Sequence, residues 1–224
     1  MSHPASPAPR SAPGRPRSSS KEMLEDAANE LFLENGYAGT TIEQITTRAG
    51  VSRNTFFNYF QAKSDVFWVH VDDRLATLDD ALNGIPDEIP LMKALADGIA
   101  ALGHQFGPSE VPWALTQYDV IGDVAELQAS ALSRVMRIAR ILAEFIASRL
   151  TSGAAEAQNR AQSLAYAVTG AMIAGAQAWA AAGTGRGSLA PFLTAAVAPI
   201  CAGFQHTGLE HDDTGPASHG SATT

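Results

Sequence analysis

The stretch AGVSRNTFFNYFQAKSDVF, residues 49–67, decides how this chain is read. From Gln44 to Ser64 the sequence holds Arg48, Arg53 and Lys63 but no Asp or Glu, and Phe56, Phe57, Tyr59 and Phe60 crowd their rings around Asn58. Ser52 can cap a helix by accepting a backbone N–H from its first turn. In that helix Phe56 and Phe60, four apart, share a face and turn inward, which leaves Arg53, Asn54, Thr55, Phe57 and Asn58 to point elsewhere. Upstream, Thr40-Thr41-Ile42-Glu43 has capping-box spacing, Ile42, Ile45 and Ala49 line one face, and Gly50 ends a helix of little more than two turns. Earlier still, Ser19-Ser20-Lys21-Glu22 repeats the spacing, Leu24, Ala27, Ala28, Leu31 and Phe32 recur at helical intervals, and Gly36 stops the run. Two short helices joined through Gly50-Val51-Ser52 form a helix-turn-helix, whose second member can lie in a major groove.

Carboxylates on such a helix would be repelled by phosphates, so a DNA-facing surface is cleared of them. Arg53 can read guanine, Asn54 can pair with adenine, and Thr55 can touch a thymine methyl or a phosphate. Lys63 and Thr41 are placed for phosphate contacts that orient without specifying. An ordinary helical subdomain with a charge-poor surface would show the same bare pattern, because Gly between two short helices is common.

The longer segment GYAGTTIEQITTRAGVSRNTFFNYFQAKSDVF resembles the amino-terminal domain of the TetR/AcrR family of bacterial regulators. The likeness lies in the Gly-Tyr lead-in, the paired threonines, Ile45, Ala49-Gly50-Val51-Ser52, the Tyr59-Phe60 end and Lys63, and it covers residues 21 to 67. It implies an all-α protein, with a three-helix DNA-binding domain over residues 20–66 and a larger helical ligand-binding and dimerisation domain over 67–206. It also implies a cytoplasmic repressor that binds a double-stranded palindromic operator as a homodimer and is released by a small-molecule effector, with no cofactor. On that resemblance the DNA-contacting set is Thr41, Ser52, Arg53, Asn54, Thr55, Phe57, Asn58 and Lys63. Three positions depart from the family pattern. Phe57 replaces a Tyr whose hydroxyl meets a phosphate, Asn54 replaces a common Gly, and Ala62 replaces a capping Ser or Asn. Within the family, Arg53 to Phe60 and VAELQASAL are similar to actinobacterial members that include regulators of mycofactocin gene clusters, which respond to acyl-CoA.

The rest of the chain fits this frame. A formal charge of -8 over 224 residues argues against indiscriminate affinity for nucleic acid, so contact must be local. Cys201, the one cysteine, excludes a disulfide framework and points to a reducing compartment. The start is basic but runs into an amphipathic acidic segment, which is not a secretory signal. Residues 1–19, rich in Ser, Pro, Ala and Arg, form a flexible arm, and residues 207–224 a polar tail. In the arm, Pro13-Gly14-Arg15-Pro16-Arg17 resembles an AT-hook core for the minor groove, the alternative being a solubilising leader. Arg10, Arg15 and Arg17 attract phosphates on either reading.

Helical patterns follow over 65–83, 91–106, 111–118, 126–150, 156–182 and 189–204, separated by Gly and Pro. Ala167, Ala171 and Gly175, and again Gly170, Ala174 and Ala178, recur every four residues as ridges that let helices approach closely, within the chain or between copies. The family resemblance favours dimerisation. A pocket among the central helices has His104, Trp113, Gln117, Tyr118, Tyr166, Thr169 and Met172 as candidate lining. Arg134 or Arg137 is the candidate cation for an acidic head; Arg140 and Glu144, four apart, suggest a solvated face instead. Two rival functions stand beside the regulator. The charge-free run from Ala161 to Gly185 is long enough for a membrane-associated adaptor, although its Ala and Gly content argues against insertion. His70-Val71-Asp72-Asp73 and His211-Asp212-Asp213 hint at metal chemistry, but the first has no partner at usable spacing and the second lies in the expected disordered tail, and no nucleophile set or phosphate loop appears.

Overall fold

A computed structural model describes residues 20–112, 124–150 and 154–205. Every regular element in these residues is helical: α1 (Ser20–Gly39), α2 (Ile42–Ala49), α3 (Arg53–Tyr59), a 3-10 segment (Lys63–Trp68), α4 (Val69–Asn83), α5 (Leu91–His104), α6 (Val124–Arg149), α7 (Ala154–Ala181), a short 3-10 turn (Gly183–Gly185) and α8 (Ala190–Gln205). The chain divides into two compact units, one ending at Lys63 and the other beginning at Ser64.

In the first unit α1 is broken at Gly36, whose backbone stands at φ 71°, ψ 167°, a region open to glycine. The following turn is closed by Thr40, almost wholly buried, whose hydroxyl lies 3.0 Å from the Leu31 carbonyl and 2.8 Å from that of Gly36. With Thr40 spent on α1, the cap of α2 falls one residue later than the sequence suggests. Thr41 Oγ1 accepts the Gln44 N–H at 3.2 Å and Gln44 Oε1 accepts the Thr41 N–H at 2.8 Å, so the box is Thr41–Gln44, not Thr40–Glu43. Gly50 ends α2 in the left-handed conformation at φ 69°. Leu24, Ala28, Leu31, Ile45, Phe56 and Phe60 form the core of this unit.

The second unit opens differently from the expected single helix over 65–83. The 3-10 segment precedes α4, and its last residue, Trp68, leads into the helix with no side-chain cap. α4 packs on α5 and α6, α5 on α8, and α7 on α6 and α8. Leu75, Leu78, Leu82, Leu95, Ile99, Leu142, Ile146, Leu164, Val168, Leu193 and Val197 fill the centre. Gly175 permits a close approach of α7 to α8, since a Cβ there would stand 2.8 Å from the Phe192 carbonyl oxygen. One of the two small-residue ridges of α7 is thus used inside the chain, while Gly170, Ala174 and Ala178 of the other remain exposed. α7 is the one described helix apolar and long enough to cross a bilayer, yet Ala161, Leu164, Ala165, Val168, Met172 and Trp179 are buried in this unit. The amino-terminal arm with its Arg-Pro-Arg core, most of the expected helix over 111–118, and the tail lie outside the described residues.

Candidate functional site

The first candidate surface is built by α3. Ser52 caps it: its Oγ accepts the Thr55 N–H at 3.0 Å and lies 2.8 Å from the Thr55 hydroxyl, which fixes both side chains at the amino end. Phe56 and Phe60 anchor the helix, with ring centroids 5.2 Å apart and both residues buried. That anchoring leaves Arg53, Asn54, Phe57 and Asn58 exposed. Phe57 has 46% of its surface open to solvent, unusual for a phenylalanine, and the Arg53 guanidinium lies over its ring at 5.6 Å. Tyr59, 49% exposed, stands beside this set and was not among the expected contacts; its signal was the lone hydroxyl in the aromatic run.

Two of the three cations in the acid-free stretch serve the unit itself. Arg48 reaches back to α1, 3.0 Å from Glu30 and 2.8 Å from Glu34. The Glu34 carboxyl is held below its usual value chiefly by this hydrogen bond, and the guanidinium pKa is raised in turn. Lys63 Nζ donates to the Tyr37 and Thr40 carbonyls at 2.6 and 2.8 Å and stands 3.9 Å from the centre of the Tyr37 ring. It fastens the turn between α1 and α2. Thr41 keeps its expected position at the exposed start of α2.

The second candidate site is a cavity of about 670 Å³ in the second unit. α6 contributes Leu127, Ala131, Val135 and Ile138 at helical spacing, α7 contributes Thr169, Met172, Ala176 and Trp179, and α4, α5 and α8 add Leu75, Leu102 and Leu193. Trp68, Phe106 and Pro112 also line it, and Gln128, Arg134 and Gln177 bring polar groups to the wall. The size lies within the range of pockets for small organic ligands. One end is braced by aromatic contacts. Phe106 meets Trp179 edge to face at 6.5 Å, the Trp179 N–H donates to the Gly187 carbonyl at 3.0 Å, and Arg74 lies over the outer face of Phe106 at 4.8 Å. Arg74 is fixed by the Gln105 carbonyl at 2.7 Å and by an ion pair with Glu110. The Glu110 carboxyl, which also accepts the Gly107 N–H at 2.6 Å, is held below the ordinary range, mainly by that backbone bond.

Of the expected lining residues, Arg134, Thr169 and Met172 reach the cavity. Arg137 and Tyr166 border a separate outer groove with Arg140 and Glu144, and His104 is exposed at the end of α5. Trp113, Gln117 and Tyr118 lie outside the described residues. Arg134 is not available as a receptor for an acidic head. Nε and Nη2 hold Asp72 at 3.0 and 2.5 Å, Nη2 also meets Asp65 at 3.2 Å, and Nη1 is taken up by the Ser130 carbonyl and hydroxyl. The sequence shows the arginine but not partners 62 and 69 residues away. Trp68, Leu127, Val135, Ile138 and Trp179 went unnoticed as lining, although the i, i+8, i+11 spacing on α6 carried a signal. Among the described residues no group of three or more His, Cys, Asp or Glu side chains is placed to hold a metal.

Residues 24–67 match the family described as bacterial regulatory proteins, tetR family, and residues 89–205 match the MftR C-terminal domain. The chain is similar to a protein of Mycobacterium tuberculosis assigned as the mycofactocin biosynthesis transcriptional regulator MftR, at 29% identity over 74% of this chain and 82% of that one. Among solved structures it is similar to the fatty acid degradation regulator FadR of Bacillus halodurans, with a TM-score of 0.54 and 16% identity over 86% of this chain and all of the other. Thermus thermophilus FadR, a TetR family repressor in complex with lauroyl-CoA, gives 0.50 and 22% over 88% of this chain and all of that one. At these identities the two structures speak for the fold.

Proposed function

Since the chain belongs to the TetR family of bacterial regulatory proteins and carries an MftR-type C-terminal domain, a family of transcriptional regulators and not of enzymes, we propose that it is an effector-released repressor. It binds a palindromic operator as a homodimer in the cytoplasm. A small hydrophobic or acyl-CoA-like molecule in the 670 Å³ cavity releases it. The observation that carries this reading is the pairing, in one chain, of an acid-free recognition helix with a large apolar chamber. Residues 20–66 act as the DNA-binding domain and 67–206 as the regulatory one. On α3, Arg53 and Asn54 read bases, Thr55 and Ser52 hold the helix start against the backbone, and Phe57 and Asn58 cover sugar or thymine methyls.

A single short helix reads too few bases to specify a site, so two copies are needed. The exposed Gly170, Ala174 and Ala178 ridge, flanked by Tyr166 and Ile173, offers a face on which a second α7 can pack closely. Lauroyl-CoA bound by the Thermus FadR, and the naming of MftR for mycofactocin biosynthesis, support an acyl-CoA-like effector and put that gene class first among the targets to test. The experiment is capture of genomic fragments by the purified chain, sequenced with and without lauroyl-CoA. A recovered palindrome whose yield falls with lauroyl-CoA supports the reading; fragments without shared sequence contradict it.

A further inference from the structure

Trp68 stands in the cavity wall, is only 7% exposed, and its indole Nε1–H has no acceptor among the described residues. A buried donor without a partner is costly unless something supplies the acceptor. Thr169 and Arg134, which also line the chamber beside Gln128 and Gln177, are already engaged. Thr169 donates its hydroxyl to the Ala165 carbonyl at 2.7 Å. Arg134, stacked 5.3 Å from the Trp68 ring, uses its donors on Asp65, Asp72 and Ser130. Asp65 and Asp72 both meet this one guanidinium, which lines the chamber.

We propose that the cavity takes the uncharged part of its ligand, a long apolar chain bearing one neutral acceptor of the carbonyl kind, and that Trp68 Nε1–H is the group that reads this acceptor. The inference rests on the effector reading of the cavity and narrows it. An anionic head at this depth could reach Arg134 only by displacing Asp65 or Asp72 from it, at the cost of a part-buried ion pair. A neutral carbonyl, ester or thioester meets the free indole N–H with no such loss. An acidic group farther along the ligand lies outside the chamber. The position of the reader is also suggestive of its use: Trp68 and Asp65 both belong to the 3-10 segment that follows the recognition helix in the chain.

Three probes of equal chain length separate the terms. S-methyl decanethioate carries a thioester carbonyl, decyl methyl sulfide replaces that carbonyl with a methylene, and decanoate carries a charge. Calorimetric titration of each into the full chain should show the thioester binding about tenfold more tightly than either of the others, the scale of one well-made hydrogen bond. In Trp68→Phe the thioester should fall to the level of the thioether, whose own affinity should not move. The thioether is the control: its unchanged affinity in Trp68→Phe shows the chamber intact and separates recognition from structural damage. Decanoate binding as tightly as the thioester, or Trp68→Phe weakening thioester and thioether alike, would overturn the inference while leaving the cavity an effector site. Failure of all three probes to bind would remove the effector reading and the inference together.

Discussion

Arg53 and Lys63 carry the same charge within ten residues of each other and have different work. Arg53 lies on the open face of α3 with its guanidinium over the Phe57 ring, whereas Lys63 ties together two carbonyls of the turn between α1 and α2. Arg53→Ala should therefore relax sequence preference and cost about 1–3 kcal/mol per half-site, with random DNA affected less. Lys63→Met should lower the unfolding midpoint and weaken operator and random DNA together; a Lys63→Met protein of unchanged stability that merely loses salt dependence would restore the phosphate role. Competition binding at two salt concentrations reads both. Sequence reasoning found the charges here and missed their partners, because Glu30 and Glu34 come into reach of Arg48, and Tyr37 of Lys63, only through the fold. The same blindness made Arg134 look like a receptor.

At the same scale, Glu110 gives the second unit an acid-sensitive contact. Its folded-state pKa lies below the unfolded value, so its contribution is fully present above the ordinary carboxylate range of about 4.3 and is lost as pH falls through the folded value. Glu110→Gln should cost stability at pH 7 and flatten the loss between about pH 5 and the acid limit, as read by urea unfolding across that range. An acid limb unchanged by the substitution would mean that the contact does not persist in solution.

Among the elements, the boundaries legible in the sequence are those where a local group ends a helix. Gly36 and Gly50 hold positive φ where the chain turns, and the caps at Ser52 and Thr41 follow from side chains that reach only their own first turn. The 3-10 segment Lys63–Trp68 was not legible, since six residues carry no period to distinguish it from the start of α4. Gly50→Ala, which meets no atom within 4 Å but keeps a left-handed φ, should cost about 1–2 kcal/mol through backbone strain alone. The two ridges of α7 looked equivalent in the sequence because periodicity does not say which neighbour a face will find. Gly175→Val should unfold the second unit, having no room before Phe192, whereas Ala174→Arg should leave a folded chain of half the mass by light scattering. A dimeric Ala174→Arg protein would move the interface off this ridge.

For the whole molecule, the family and the all-helical architecture were legible because the helix-turn-helix segment is local and dense in constraint. The cavity was not, since its wall is assembled from five helices and a 3-10 segment far apart in sequence. A ligand there can release DNA only by binding the DNA-free form more tightly, and operator must then weaken the ligand by the same factor. Coupling of this kind typically amounts to about 5- to 150-fold. The central claim is tested most directly by titrating lauroyl-CoA into the free protein and into the protein saturated with its operator. The account expects tight binding to the free protein and binding weaker by the factor with which lauroyl-CoA lowers operator affinity; equal affinity in the two titrations would contradict it.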